Sequence, residues 1–444
     1  MSSAKQDTQM TIDSTDTAAA KNLLKISSVR ERTAPIFNLA LDNNLDYFDV
    51  DLTKVDDVVD FVSSVIDRDF AGKYDTIPPH GRWGHLNAGN VPRVEGLIEE
   101  WRNKDVDEIE IGKKLIDLFV LSVLIDAGAG NEWKYTEKGT DNVFNRSEGL
   151  AIVSIDMFKA GDLSDDSEDP HKVNASKLIN FSKADLIESF QISESNPLAG
   201  TDGRLALIQN LGKALSTNET FFGKDGRPGE MIEYLHSKSS NDSIDLNLLW
   251  DTLMEGFTSI WPKGRTSING VSLGDAWPLS TTSKVGAKNF IDTIVPFHKL
   301  TQWLCYSLLV PLKGYGYKFT VTNEALQTGL PEYRNGGLIY DFGVITLKPE
   351  FLKKGLELSK DISSTTPDIP SFKPDDGVIV EWRALTIGFL DYLLPLINKK
   401  IGYDLSLPQL IEAGSWKSGR EIAAKLRPST KGPPIDLYSD GTVF

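Results

Sequence analysis

The chain has 444 residues, of which 40% are hydrophobic and 9% aromatic, so a wholly disordered protein is excluded. Lys and Arg number 47 against 63 Asp and Glu, a formal charge of −16, which argues against a nonspecific binder of nucleic acid or anionic membrane. The single cysteine, Cys305, excludes an internal disulfide framework and a cysteine-based zinc site, and fits a reducing compartment.

In chain order, Met1–Asn22 is polar and lacks the apolar stretch of a secretory signal. It reads as part of a disordered leader over residues 1–29, followed by one unit over residues 30–444. Apolar residues at helical spacing predict a helix over Val55–Val65. Lys113–Ile125 is more continuously apolar and predicts a buried helix, and Ser147–Phe158 opens on a plausible N-cap. Further helices are expected at Lys183–Phe190, Gly203–Leu215, Leu246–Phe257, Lys299–Leu309, Pro349–Leu358, Trp382–Ile397 and Lys417–Leu426. Leu338–Leu347 follows a Gly-Gly pair, is richer in β formers, and predicts a short strand or hairpin. Asp162–Val173 and Asp361–Asp376 read as solvated surface insertions. The fold class is therefore mainly α, large and two-lobed with a small β element, and the lobe boundary is placed near 174–197. No segment reaches the ~20 apolar residues of a membrane span. A soluble cytoplasmic or nuclear protein is expected, with the oligomeric state left open.

Familiar chemical signatures are mostly absent: no phosphate-loop motif, HExxH, GxSxG or CxxC. His80 and His85 lack an acidic third ligand in the pattern, so no metal is expected. Four segments instead pack aromatic, charged and glycine residues together. They are Pro79–Trp83, Asp126–Gly130 with Trp133 and Tyr135, Gly329–Gly337, and Val380–Arg383. Rings stack on a sugar or base, while Arg and carboxylates give directed hydrogen bonds, so this mixture suits a polar ligand. Taken singly, Asp126 as a cap, or Glu332–Arg334 and Glu381–Arg383 as ordinary ion pairs, is the more economical reading.

These clusters resemble the uracil catabolism protein 4 family of fungi and bacteria, long filed as a domain of unknown function. The strings VPFHKLTQW, GLPEYRNGG, VEWRALT and SDGTVF carry the resemblance, which runs from about Arg30 to Phe444. One departure is that Gly81 and Gly84 stand where family members tend to carry Ser and a second Arg. The resemblance implies a role in a uracil-degradation route that opens the pyrimidine ring without reducing it. Ring opening of a uracil nucleotide leaves a urea unit on ribose, and that N-glycosidic bond must then be split. The order of motifs is also similar to that of the queuosine-salvage nucleotide glycosidases, which implies a helical core like that of DNA glycosylases. There a carboxylate-any-Arg string carries the catalytic carboxylate, and Glu381-Trp382-Arg383 is its counterpart here, with Glu in place of Asp.

The resulting expectation is an N-glycosidase that releases urea from ribosylurea or its 5′-phosphate, with no cofactor. A carboxylate stabilises the oxocarbenium-like state or activates water, and an acid protonates the leaving nitrogen. Glu381, at the start of its helix, is assigned the first role, and Asp341 or Asp126 the second. His80, Arg82, Trp133, Tyr135, Glu332, Arg334 and Arg383 are expected to bind the ribosyl or ribonucleotide substrate, the arginines holding a phosphate if there is one. The competing readings are an amidohydrolase and a noncatalytic scaffold subunit of the pathway. A concave pocket lined by Glu381, Arg383 and Asp341 would favour the enzyme.

Overall fold

The computed structural model describes residues 14–126, 128–130, 132–260, 265–362, 364 and 366–438. Helices dominate. In chain order they are α1 (Ser14–Leu23), α2 (Ile26–Leu41), α3 (Val55–Phe70), α4 (Arg82–Leu86), α5 (Arg93–Asn103), α6 (Glu108–Leu124) and α7 (Arg146–Ala160). Next come α8 (Ala175–Ile179), α9 (Lys183–Ser189), α10 (Thr201–Thr217), α11 (Glu219–Phe222), α12 (Met231–Lys238) and α13 (Leu246–Phe257). The last are α14 (Lys299–Gly314), α15 (Tyr333–Asp341), α16 (Pro349–Asp361), α17 (Gly377–Ile401), α18 (Leu407–Leu410) and α19 (Trp416–Leu426). The strands among the described residues make six two-stranded sheets that act as clips between helices. The mainly α expectation holds, and each helix predicted from periodicity is present. No helix among the described residues is long and apolar enough to cross a membrane.

Two apolar cores organise the chain. The first is built from the middle, with α6, buried from Leu115 to Leu124, packed against α7 and α14. The second brings the two ends together, as α2 and α3 pack on α17, which in turn supports α15. Asp107 starts α6 by accepting from the Glu110 amide, and Asp376 starts α17 by accepting from the Val378 amide.

Three expectations need correction. Residues 14–29, placed in the disordered leader, form α1 and the start of α2, with Leu23 and Ile26 buried. The 174–197 segment does not divide the lobes: Val173, Leu178, Leu186 and Phe190 all belong to the first core. Leu338–Asp341 is helical, and the β element shrinks to Ile345–Leu347, paired antiparallel with Phe48–Val50. The Gly336-Gly337 pair is not a turn. A Cβ on Gly336 would lie 2.7 Å from Thr386 Oγ1 and 2.9 Å from the Trp382 ring, so glycine there lets α15 sit directly on α17.

Candidate functional site

A cavity of about 580 Å³ opens between the two cores. The loop after α6 contributes Asp126 and Ala129, and the first turn of α7 contributes Ser147. The first turns of α14 and α15 contribute Lys299, Leu300, Glu332 and Arg334. Ile379, Trp382 and Arg383 come from one face of α17, Trp303 from α14 and Trp416 from α19. The C-terminal segment from Thr430 to Leu437 covers one side.

Asp126 sits just past the C-terminus of α6, where the apolar helix delivers it into the interior. Its loop is clamped by buried Arg204 of α10, which donates to the carbonyls of Ile125 and Gly128. One carboxylate oxygen meets Arg82 Nη1 at 2.9 Å. The other, Oδ1, is buried and makes no hydrogen bond of good geometry among the described residues, although the Ser147 hydroxyl lies close enough to act on the carboxyl. Burial raises the Asp126 carboxyl above its ordinary value, while Arg82, Ser147 and Lys299 pull the other way. Arg82 is itself fully buried and is fixed by Ser122 through Nε (2.8 Å), with Ser154 behind Ser122 (2.7 Å).

Across the cavity, Asp275 anchors a second polar group. It takes both Arg383 nitrogens at 2.7 Å, the Trp277 indole N–H at 2.7 Å and the Lys299 amide at 3.0 Å. Burial alone would raise this carboxyl, but Arg383 and these donors hold it far below the usual carboxylate range. Lys299 follows His298, whose φ of 45° turns the chain into α14 and whose Nε2 donates to the Leu23 carbonyl at 2.7 Å. Burial lowers the Lys299 ammonium below its ordinary value; Glu332 opposes this and Arg383 adds to it. Arg334 lies 4.3 Å over the Trp416 ring.

His80 meets Glu412 at 2.5 Å, and Glu412 lies in the π-helical turn Ile411–Ser415 that leads into α19. Trp303 packs on His80 and His85, and its indole N–H has no partner among the described residues. His85 is pushed down to about 3, first by burial and then by Arg82 and His80, so it is a neutral ring at ordinary pH. No group of three or more metal-ligating side chains stands together among the described residues.

The structure thus brings together Asp126, His80, Arg82, Glu332, Arg334 and Arg383, with Arg82 reaching the cavity only through Asp126. Glu332 lines it as the cap of α15, accepting from the amides of Arg334 (3.0 Å) and Asn335 (2.6 Å). Four expected residues lie elsewhere. Glu381 is fully buried outside the cavity, where it accepts from the amides of Asp46 (3.2 Å) and Tyr47 (2.9 Å) and from the Thr281 hydroxyl. It does not open its helix, because α17 begins four residues earlier, at Gly377. Asp341 makes a two-point pair with Arg427, which also holds the Gly432 carbonyl and so braces the covering segment. Trp133 donates to the Phe190 carbonyl and Tyr135 to Asp156, both inside the first core. The SDGTVF string falls on residues 439–444, outside the described residues.

Sequence reasoning missed Lys299, Asp275, Trp303, Glu412 and Trp416. For Lys299 a signal was present: a cation in the first turn of a helix opposes the helix dipole and needs another reason to be there.

Fold and site define a helical protein with a deep, tryptophan-walled cavity of the size that takes a small polar molecule. The chain belongs to the family described as "Protein of unknown function (DUF1688)", whose model matches residues 22–444. It is similar to "Uracil catabolism protein 4" of Lachancea kluyveri, 61% identical over 427 residues that cover 94% of this chain and 97% of that protein. It is also similar to "Protein urg3" of Schizosaccharomyces pombe (strain 972 / ATCC 24843), 45% identical over 437 residues, 97% of this chain and 100% of that protein. The family resemblance read from the motifs is borne out.

Proposed function

We propose that this protein acts in uracil catabolism as an N-glycosidase that splits the C1′–N bond of ribosylurea or its 5′-phosphate, releasing urea. The pathway assignment leans on the name of the relative from L. kluyveri. The reaction assignment leans on one observation: a buried carboxyl, Asp126, that lines the cavity and is paired with the fully buried Arg82 at 2.9 Å. Urea leaves poorly unless protonated. Burial favours the acid form of Asp126 and the Arg82 contact favours its carboxylate, a balance that suits a residue that gives a proton and regains it. As the C1′–N bond breaks, the nitrogen takes the Asp126 proton. Water then forms the C1′–O bond and returns a proton to Asp126, giving ribose and urea. Incubating purified protein with each compound and measuring urea and ribose tests this. Absence of urea from both would end the N-glycosidase reading.

A further inference from the structure

Charge on the cavity wall runs against that of the chain. The protein carries −16 overall, yet cations remain on the wall once its internal pairs are matched. Arg82 is matched by Asp126 and Arg383 by Asp275. His80 occupies Glu412, and Arg420 occupies Glu148. The Glu332 carboxylate is engaged by two helix amides. Arg146 and Asp436 also line the cavity, Arg146 donating to the Thr430 carbonyl. Lys299 and Arg334 line it too, and neither reaches a carboxylate at ion-pair distance among the described residues. Arg334 is only 5% exposed, and the carboxylates of Glu332 and Glu148 act on it at longer range.

A buried guanidinium without a close counter-anion is unfavourable, and here only Tyr333 and the more distant Glu332 and Glu148 carboxylates offset it. Arg334 sits over the Trp416 ring, a cation–π contact that holds it at the cavity wall, and the forked donors of a guanidinium suit phosphate. Lys299 lines the same cavity as Asp126, Glu332 and Arg334.

We propose that the cavity takes a ribose phosphate monoester, with Arg334 and Lys299 holding the phosphate and C1′ presented to Asp126. Resting on the N-glycosidase reading for the reacting end, this assigns ribosylurea 5′-phosphate as the substrate in preference to ribosylurea.

Titration calorimetry with ribose 5-phosphate and with ribose reads the phosphate site without any turnover. Wild-type protein should bind ribose 5-phosphate at least about 10-fold more tightly than ribose, the size expected for charge-assisted hydrogen bonds. Arg334→Gln should remove about 10- to 100-fold of that affinity and leave ribose binding unchanged, with Arg334→Lys retaining part of it. Unfolding midpoints of the variants check that they fold, and the comparison of two ligands on wild type needs no variant. Equal binding of ribose and ribose 5-phosphate would overturn the proposal, even if ribosylurea still yielded urea. Arg334-dependent binding of ribose 5-phosphate with no urea from either compound would keep the phosphate site and end the N-glycosidase reading. Urea release from ribosylurea that requires added inorganic phosphate and yields ribose 1-phosphate would overturn it too, because the anion would then be a co-substrate.

Discussion

Asp275→Asn isolates the polar group opposite Asp126. Asparagine keeps the size of the side chain and one acceptor, enough for the Trp277 indole or the Lys299 amide. Its amide nitrogen, however, faces a guanidinium that donated two 2.7 Å bonds to the carboxylate. Arg383 is left charged and 7% exposed over the Phe297 ring. Removing one partner of a buried ion pair costs about 3–5 kcal/mol. An unfolding entropy of roughly 2.1 cal/mol/K per residue gives about 0.9 kcal/mol/K for 444 residues, so the midpoint should fall by about 3–5 °C. Differential scanning fluorimetry and urea unfolding read this directly. The double variant Asp275→Asn, Arg383→Met should recover most of the loss, because the buried charge goes while the asparagine oxygen still accepts from the Trp277 indole or the Lys299 amide. An Asp275→Asn midpoint within 1 °C of wild type, or no recovery in the double variant, would refute the reasoning.

Asp126→Asn should fold, since its amide oxygen still accepts from Arg82, while urea release falls by about 10²-fold or more in a single-turnover assay. Glu381→Gln should leave turnover near wild type, and Glu381→Ala should cost about 2–4 kcal/mol by orphaning the amides of Asp46 and Tyr47 and the Thr281 hydroxyl, as measured by chemical unfolding. Glu137 receives a two-point contact from Arg93 (2.6 and 2.8 Å) that holds its carboxyl at about 2, against an ordinary value of 4.5. The fold therefore gains about 3 kcal/mol from this carboxylate above pH 4.5 and loses it as pH falls toward 2, and Glu137→Gln should flatten that limb of the stability curve.

The helices that form the walls of the site were legible because their apolar residues are dense and regular, as in α6 and α14. What escaped was the direction in which side chains point. Glu381 and Arg383 stand together in the sequence, but two residues on a helix are about 200° apart. With Arg383, Trp382 and Ile379 on the cavity face, Glu381 must face away, and there it fastens the chain entering from Asp46. A cluster of adjacent polar residues is thus two unrelated sites seen edge-on. Asp126 was legible for the opposite reason. It follows the end of a helix, where the chain is free to aim a carboxyl regardless of helical period. The Gly336-Gly337 pair misled because glycine signals a turn and a close helix contact with the same letters, and only the partner helix decides between them.

The division into a central core and a core made from both chain ends also has a consequence during synthesis. Nearly every residue of the first core has been made once Leu330 leaves the ribosome, but α2 and α3 must wait for α17 and the segment ending near Leu437. About a hundred residues separate those points, which at roughly 5–20 residues per second is a delay of about 5–20 s. The valine face of α3, from Val55 to Val65, therefore lacks its α17 partner until that interval ends. Residues from Thr430 to Leu437 line the cavity, so its wall is complete only when the last described segment is in place.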